Sequence, residues 1–335
     1  MVINDDGTLL IFLLLIKYLI PFGLFLLGCI FLYYSSESFI DQSILISQKM
    51  KISPIIIGAS VIALGTSLPE LLVSLYSIFV YNNPNDTGNL VSSGIVIGNI
   101  LGSNIANVAL VLGLCAFLYK VIFESNILKD LLFISFLGSY VLICIYFNIS
   151  INYFHGILLL LSFLFYFYYL ILNNHFDEED VDNRSVNLLY SSFVIIITII
   201  GLSVGTNLIV ENALEISKLL GMNELNISFS IIALGTSLPE LFTALAAIKR
   251  KKYNLLIGNI IGSNILNVIF VLGIASLFAN INVSSDLING GNFIAIVFIV
   301  SHLILLLSYL INKSISKISG FLLLVIYFLF IFKLF

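Results

Sequence analysis

With 335 residues, 60% of them hydrophobic and 10% charged, and a mean hydropathy of +1.14, the chain is not a water-soluble globular domain, in which about a quarter of residues are charged. The composition reads as an all-α polytopic membrane protein, and the formal net charge of −4 carries little information because the links hold nearly all the charge. Cys29, Cys115 and Cys144 are odd in number and unrelated in spacing, which speaks against a disulfide framework or a zinc site.

The first residues, Met1 to Thr8, carry Asp5 and Asp6 and no basic residue, the wrong flank for a cleaved signal peptide. A bilayer-crossing helix needs about 20 apolar residues. Such stretches fall at roughly 9–34, 53–80, 94–119, 129–148, 152–172, 187–210, 225–248, 254–279, 291–311 and 317–334, ten spans in all. The link at 173–187 holds Asp177, Glu178, Glu179, Asp180 and Asp182. It lacks the ligand spacing of an EF-hand and reads as a solvated linker between halves at 1–172 and 188–335.

Basic residues favour the cytoplasmic side of a membrane. Lys49, Lys51, Lys120, Lys129, Arg184, Lys249, Arg250, Lys251, Lys252, Lys313 and Lys317 all follow odd-numbered spans, whereas the links after even-numbered spans hold only Lys218. Both termini are therefore expected outside, in a cell membrane. The lipid bilayer is the partner this implies; no nucleic acid and no obligatory protein partner are expected.

Span two contains Ala63-Leu64-Gly65-Thr66-Ser67-Leu68-Pro69-Glu70, which returns letter for letter as Ala233-Leu234-Gly235-Thr236-Ser237-Leu238-Pro239-Glu240 in span seven. Five spans separate the copies, an odd number, so the second enters the membrane from the opposite face. The chain thus reads as two inverted-topology five-helix repeats, an arrangement of secondary transporters that bind at the midplane. On this map only Glu70 and Glu240 among the 18 acidic residues lie well inside a span. Ionisable groups there are costly and mark a site or pathway.

Pro69 and Pro239 lack an N–H, which frees the carbonyls of Gly65 and Gly235 from helical pairing. Unwound backbone at membrane depth is tolerated only when buried in protein or lining a cavity. Thr66 and Glu70, at i and i+4, can face the same way.

A second block follows each motif. Gly98-Asn99-Ile100-Leu101-Gly102-Ser103-Asn104-Ile105-Ala106-Asn107 matches Gly258-Asn259-Ile260-Ile261-Gly262-Ser263-Asn264-Ile265-Leu266-Asn267. Gly98, Gly102, Gly258 and Gly262 have the Gly-x-x-x-Gly spacing of close helix packing. Ser103 with Asn107, and Ser263 with Asn267, form i, i+4 pairs expected to line the site opposite the glutamates. The donor set is oxygen only, while His155, His175 and His302 lie elsewhere, singly. Such ligands suit Ca2+, and plausibly Na+, and argue against zinc or copper. Two ionised glutamates are balanced equally by one Ca2+ or two Na+, which is a physical basis for exchange.

These paired motifs resemble those of the sodium/calcium exchangers of the cation/Ca2+ antiporter superfamily, and the resemblance runs over essentially the whole chain. The compact prokaryotic members are the nearer type, since the 173–187 link is too short for the large cytoplasmic region of animal exchangers. The resemblance implies that Glu70 and Glu240 bridge the central ions and bind calcium, and that Thr66 and Thr236 give carbonyls to calcium. It implies that Ala63 and Ala233 give carbonyls to outlying sodium sites, where Ser67, Ser237, Ser103 and Ser263 supply hydroxyls. Asn107 matches an asparagine of the family pattern, whereas many members carry aspartate where this chain has Asn267. It further implies that the first and sixth spans slide past the rest to alternate access.

Ca2+/Na+ antiport is thus the leading reading, with no cofactor beyond the transported ions and no enzyme activity. Ca2+/H+ or K+-dependent exchange and a passive cation channel are the alternatives within transport. An intramembrane carboxylate hydrolase is disfavoured, since neither Gly-x-Gly-Asp nor His-Glu-x-x-His occurs.

Overall fold

A computed structural model describes residues 5–81, 88–173, 187–219, 234–282 and 291–334. Lipid offers backbone groups no hydrogen-bond partner, and the apolar stretches accordingly form helices: α1 (Asp5–Met50), α2 (54–66), α3 (Leu68–Tyr81), α4 (88–118), α5 (Leu128–Tyr146), α6 (Tyr153–Leu172), α7 (Leu188–Leu219), α8 (Leu238–Lys249), α9 (253–278), α10 (Gly291–Asn312) and α11 (Lys317–Leu334). Among the described residues, eight runs are long and apolar enough to cross a membrane. The α2 and α3 helices are one span broken at Ser67. The expected seventh span is described only from residue 234, and most of the acidic link, 174–186, lies outside the described residues.

The chain is an all-α membrane protein of about ten helices in two inverted repeats. Two short pairings outside the helices make the inversion visible. Val121 and Ile122 (β1), between α4 and α5, pair antiparallel with Ile315 and Ser314 (β2), between α10 and α11. Ile281, after α9, pairs with Ile151, between α5 and α6. The second contact is the first with the repeats exchanged, and it lies on the opposite face.

Burial sorts the helices. The apolar windows of α4 and α9 are 83% buried, against 22% for α1 and α6, so α4 and α9 form the centre. Phe136, Phe165, Ile200 and Phe328 point outward, as lipid-facing apolar side chains should. Gly58 in α2 meets Gly258 in α9 backbone to backbone: a Cβ on Gly58 would lie 2.6 Å from the Leu255 carbonyl oxygen, and one on Gly258 would overlap the Ile55 carbonyl oxygen. This bears out the packing expectation for the second copy of Gly-x-x-x-Gly. For Gly98, no described atom lies within 4 Å of a Cβ position; the segment matching Ile55–Ala59 falls at 225–229, outside the described residues. Gly258→Val is expected to cost more than the about 1–3 kcal/mol of ordinary overpacking, because backbone cannot repack. A drop of about 5 °C or more in the melting midpoint of the detergent-purified protein should report it.

The first span differs from expectation. Glu37 and Asp41 look like link charges, yet α1 continues through them to Met50. The reason is tertiary. Arg250, just past α8, donates from Nε to Asp41 Oδ1 at 2.7 Å and from Nη2 to Asp41 Oδ2 at 3.0 Å. Its Nη2 also lies 2.6 Å from Glu37 Oε2, and Lys249 Nζ is 3.6 Å from Glu37 Oε1. Paired acids no longer oppose a helix at the membrane edge. Otherwise α1 packs chiefly along α7, backbone against backbone where Gly28 meets Gly205.

Candidate functional site

Each motif breaks its helix at the same serine. Ser67 has φ −85° and ψ 4°, and Ser237 has φ −87° and ψ 2°. This sparsely occupied bridge conformation is common where backbone serves a site. It follows from proline two residues on, which cannot donate to the preceding turn. The new helices α3 and α8 start here and carry Glu70 and Glu240 in their first turns. Opposite them, α4 and α9 widen into π-helical turns at Ala106–Leu112 and Asn267–Leu272. Such turns are frequent at functional sites; here they hold Asn107 and Asn267.

The structure brings the two halves of the predicted site together. Thr66, Ser67, Glu70, Ser103, Asn107, Thr236, Ser237, Glu240, Ser263 and Asn267 are all buried. Thr66 Oγ1 lies 3.2 Å from both Ser263 Oγ and Asn259 Oδ1. Symmetrically, Thr236 Oγ1 lies 3.1 Å from Ser103 Oγ and 3.4 Å from Asn99 Oδ1. The Glu70 carboxylate sits beside Ser103 and Thr236 and close enough to Glu240 for their charges to interact; Glu240 sits beside Thr66, Ser263 and Ser67. Each glutamate therefore faces hydroxyls of both repeats.

Buried polar atoms are normally hydrogen-bonded. Here eight oxygens are not, and they form two matching sets: Ser67 Oγ, Glu70 Oε1 and Oε2 and Asn107 Oδ1, with Ser237 Oγ, Glu240 Oε1 and Oε2 and Asn267 Oδ1. Although hydroxyls neighbour both carboxylates, none closes a hydrogen bond to them. Glu70 and Glu240 are the only buried carboxylates among the described residues, and neither forms an ion pair with a described residue. Two buried charges without counter-charge cost several kcal/mol each. Hard oxygens of this kind fit an oxygen-seeking cation.

Two predicted carbonyl donors stand differently. The Ala63 carbonyl accepts the Ser67 N–H at 3.0 Å and lies 3.4 Å from Thr66 Oγ1. Ala233 lies outside the described residues. Four buried asparagines, quoted in the repeated block but given no role in the sequence reading, belong to this cluster. Asn99 Nδ2 donates to the Glu70 carbonyl at 2.9 Å and to Ser74 Oγ at 3.1 Å. Asn259 Nδ2 donates to Thr243 Oγ1 at 3.0 Å, and Thr243 Oγ1 in turn reaches the Glu240 carbonyl at 3.1 Å. Asn104 and Asn264 bond across the repeats. Recurrence of both positions, Asn99 as Asn259 and Asn104 as Asn264, was the available signal.

A family model described as sodium/calcium exchanger protein matches residues 20–172 and 190–335. The chain belongs to the sodium/calcium exchanger family. Among similar sequences, the uncharacterized membrane protein MJ0091 of Methanocaldococcus jannaschii is 36% identical over 264 residues, covering 77% of this chain and 82% of that protein. The sodium/calcium exchanger MaX1 of Methanosarcina acetivorans is 28% identical over 307 residues, covering 79% and 85%. Among solved structures, the sodium-calcium exchanger NCX_Mj soaked with 2.5 mM Na+ and 0.1 mM Ca2+ superposes with a TM-score of 0.77 at 33% identity, over 94% of this chain and 99% of that one. The exchanger family is one of transporters, which agrees with the antiporter reading of the motifs.

Proposed function

We propose that the protein is a secondary antiporter that exchanges Ca2+ for Na+ at one site midway through a cell membrane, with both termini outside. The supporting observation is the pair of matching sets of unpartnered oxygens around Glu70 and Glu240. Cations are the substrate. Bound Ca2+, or two Na+, offsets the charge of the two carboxylates, and Ser67, Ser237, Ser103, Ser263, Asn107 and Asn267 supply neutral oxygens around it. Carbonyls of Thr66, Thr236, Ala63 and Ala233 complete the shell. The charge-balanced site can change its exposure, whereas the ion-free site keeps two facing charges in a low dielectric and cannot.

Access alternates by movement of α1 with α7. The two helices pack mainly on each other, and they lie directly on the motif glycines. A Cβ on Gly65 would meet Phe39 Cζ of α1 and Ile199 Cγ1 of α7, each at 3.0 Å, and one on Gly235 would overlap Val210 of α7. A shift of this pair therefore uncovers the broken helices that carry the carboxylates.

Radiolabelled calcium uptake into proteoliposomes under separate Na+, K+ and H+ gradients tests the reading. Uptake driven by outward Na+ alone is expected. Uptake that needs K+ or follows a proton gradient would reassign the counter-ion, and flux without any counter-ion would make the protein a channel.

A further inference from the structure

We infer that Asn104 and Asn264 are positioning residues of the cation site, each fixing the amide of a ligating asparagine in the opposite repeat so that its oxygen faces the ions. This rests on the proposed site. Four bonds carry it. Asn104 Nδ2 donates to the Asn264 backbone carbonyl at 3.1 Å, and Asn264 Nδ2 donates to the Asn104 carbonyl at 3.1 Å. Asn267 Nδ2 donates to Asn104 Oδ1 at 3.0 Å, and Asn107 Nδ2 to Asn264 Oδ1 at 2.9 Å. All four side chains are buried, at 0–1% exposure.

One end of each of these two amides, Asn104 and Asn264, is set by an atom that cannot turn. A carboxamide offers an NH2 that only donates and an oxygen that only accepts. A backbone carbonyl only accepts, so it must face the NH2 of its asparagine. That fixes Asn104 with its oxygen pointing away, and a buried oxygen needs a donor. Asn267 can answer only with its own NH2, which leaves Asn267 Oδ1 free. Asn264 imposes the same on Asn107. The two oxygens left over are among the eight without a partner. Turning Asn267 over would set two acceptors together at Asn104 and present NH2 to a cation. Packing alone would not distinguish the two ends of an amide, whereas this chain of bonds does.

A double-mutant cycle tests the inference. Calcium uptake is measured for Asn104→Leu, Asn267→Ala and the double variant. Each single variant is expected to raise the KM for Ca2+ about tenfold, the loss of roughly one polar contact. The double variant should be no worse than Asn267→Ala alone. Multiplying effects would overturn the inference and make Asn104 structural. Should Asn104→Leu fail to fold, side-chain NMR of the asparagine-labelled wild-type protein decides. Calcium should move the carboxamide carbons of Asn107 and Asn267 while their NH2 protons stay slow to exchange. Exposed, calcium-sensitive NH2 groups would overturn it. Glu70→Gln run alongside separates the failures. If that variant is inactive and the cycle is additive, the site stands and the positioning role falls. If it transports like wild type, both fall.

Discussion

Glu70→Gln is expected to abolish calcium uptake, lowering it at least about a hundredfold, while leaving the ion-free protein folded and no less stable. The two halves of this expectation have one cause. The Glu70 carboxylate is buried with both oxygens unpartnered, so in the proposed site it contributes charge to a cation and little to the fold. The neutral isostere removes half the site's charge and offers a cation an NH2 where it had an oxygen. The same NH2 can donate to the hydroxyls of Ser103 or Thr236, which lie beside it, and a buried uncompensated charge disappears. Glu240→Gln should behave alike through Thr66, Ser263 and Ser67. Two measurements check this: calcium uptake, and the melting midpoint with and without calcium. In the wild type, calcium at 100 times its dissociation constant should add about 2.7 kcal/mol, and in either variant that increment should vanish. A variant that melts early in the absence of ions would show that the glutamates tie helices together instead. Full calcium uptake would refute the site.

Asn267→Asp is expected to make transport depend on pH more steeply than in the wild type. The wild-type site has two carboxylates and a neutral amide at 267, so it has no third acid to titrate. Between about pH 6 and 8.5 the KM for calcium should vary less in the wild type than in this variant. At that position the amide donates to Asn104 Oδ1. An aspartate can make this bond only while it holds a proton. Its titration therefore changes both this bond and the charge that faces the ions. Above it the carboxylate adds a third negative charge and tightens calcium binding; below it the site resembles wild type. The KM for calcium should therefore fall about tenfold as pH rises in this variant. A steep profile in the wild type would show that another group titrates during transport. A flat profile in the variant would mean that residue 267 does not face the ions.

Much of this architecture is legible in the sequence, for physical reasons that can be named. Helices follow from hydropathy because lipid leaves the backbone no alternative. Glu70, Glu240 and their hydroxyl neighbours stand out because polar atoms are costly in an apolar span, and their exact repetition removes coincidence. What stayed hidden depends on contacts between distant residues. Glu37 and Asp41 read as the end of a span because Arg250, their partner, lies some two hundred positions away. The widening of α4 and α9 at Asn107 and Asn267 has no local signature, since the same residues suit an ordinary helix. Asn104 and Asn264 were visible as repeated letters, but their work is to hold each other and their partner's neighbour, which no single segment reveals.

The crosswise bonding of the asparagines and threonines also bears on how the protein is made. Hydrogen-bond partners of Thr66 and Asn107 belong to the carboxyl-terminal half. The amino-terminal helices leave the ribosome first, and they reach the bilayer with amides, hydroxyls and a carboxylate that nothing yet answers. The centre can therefore close only after α9 has been translated and inserted. Biogenesis must shelter these groups until then, so a chain truncated before α9 should be less stable in the membrane than the full chain.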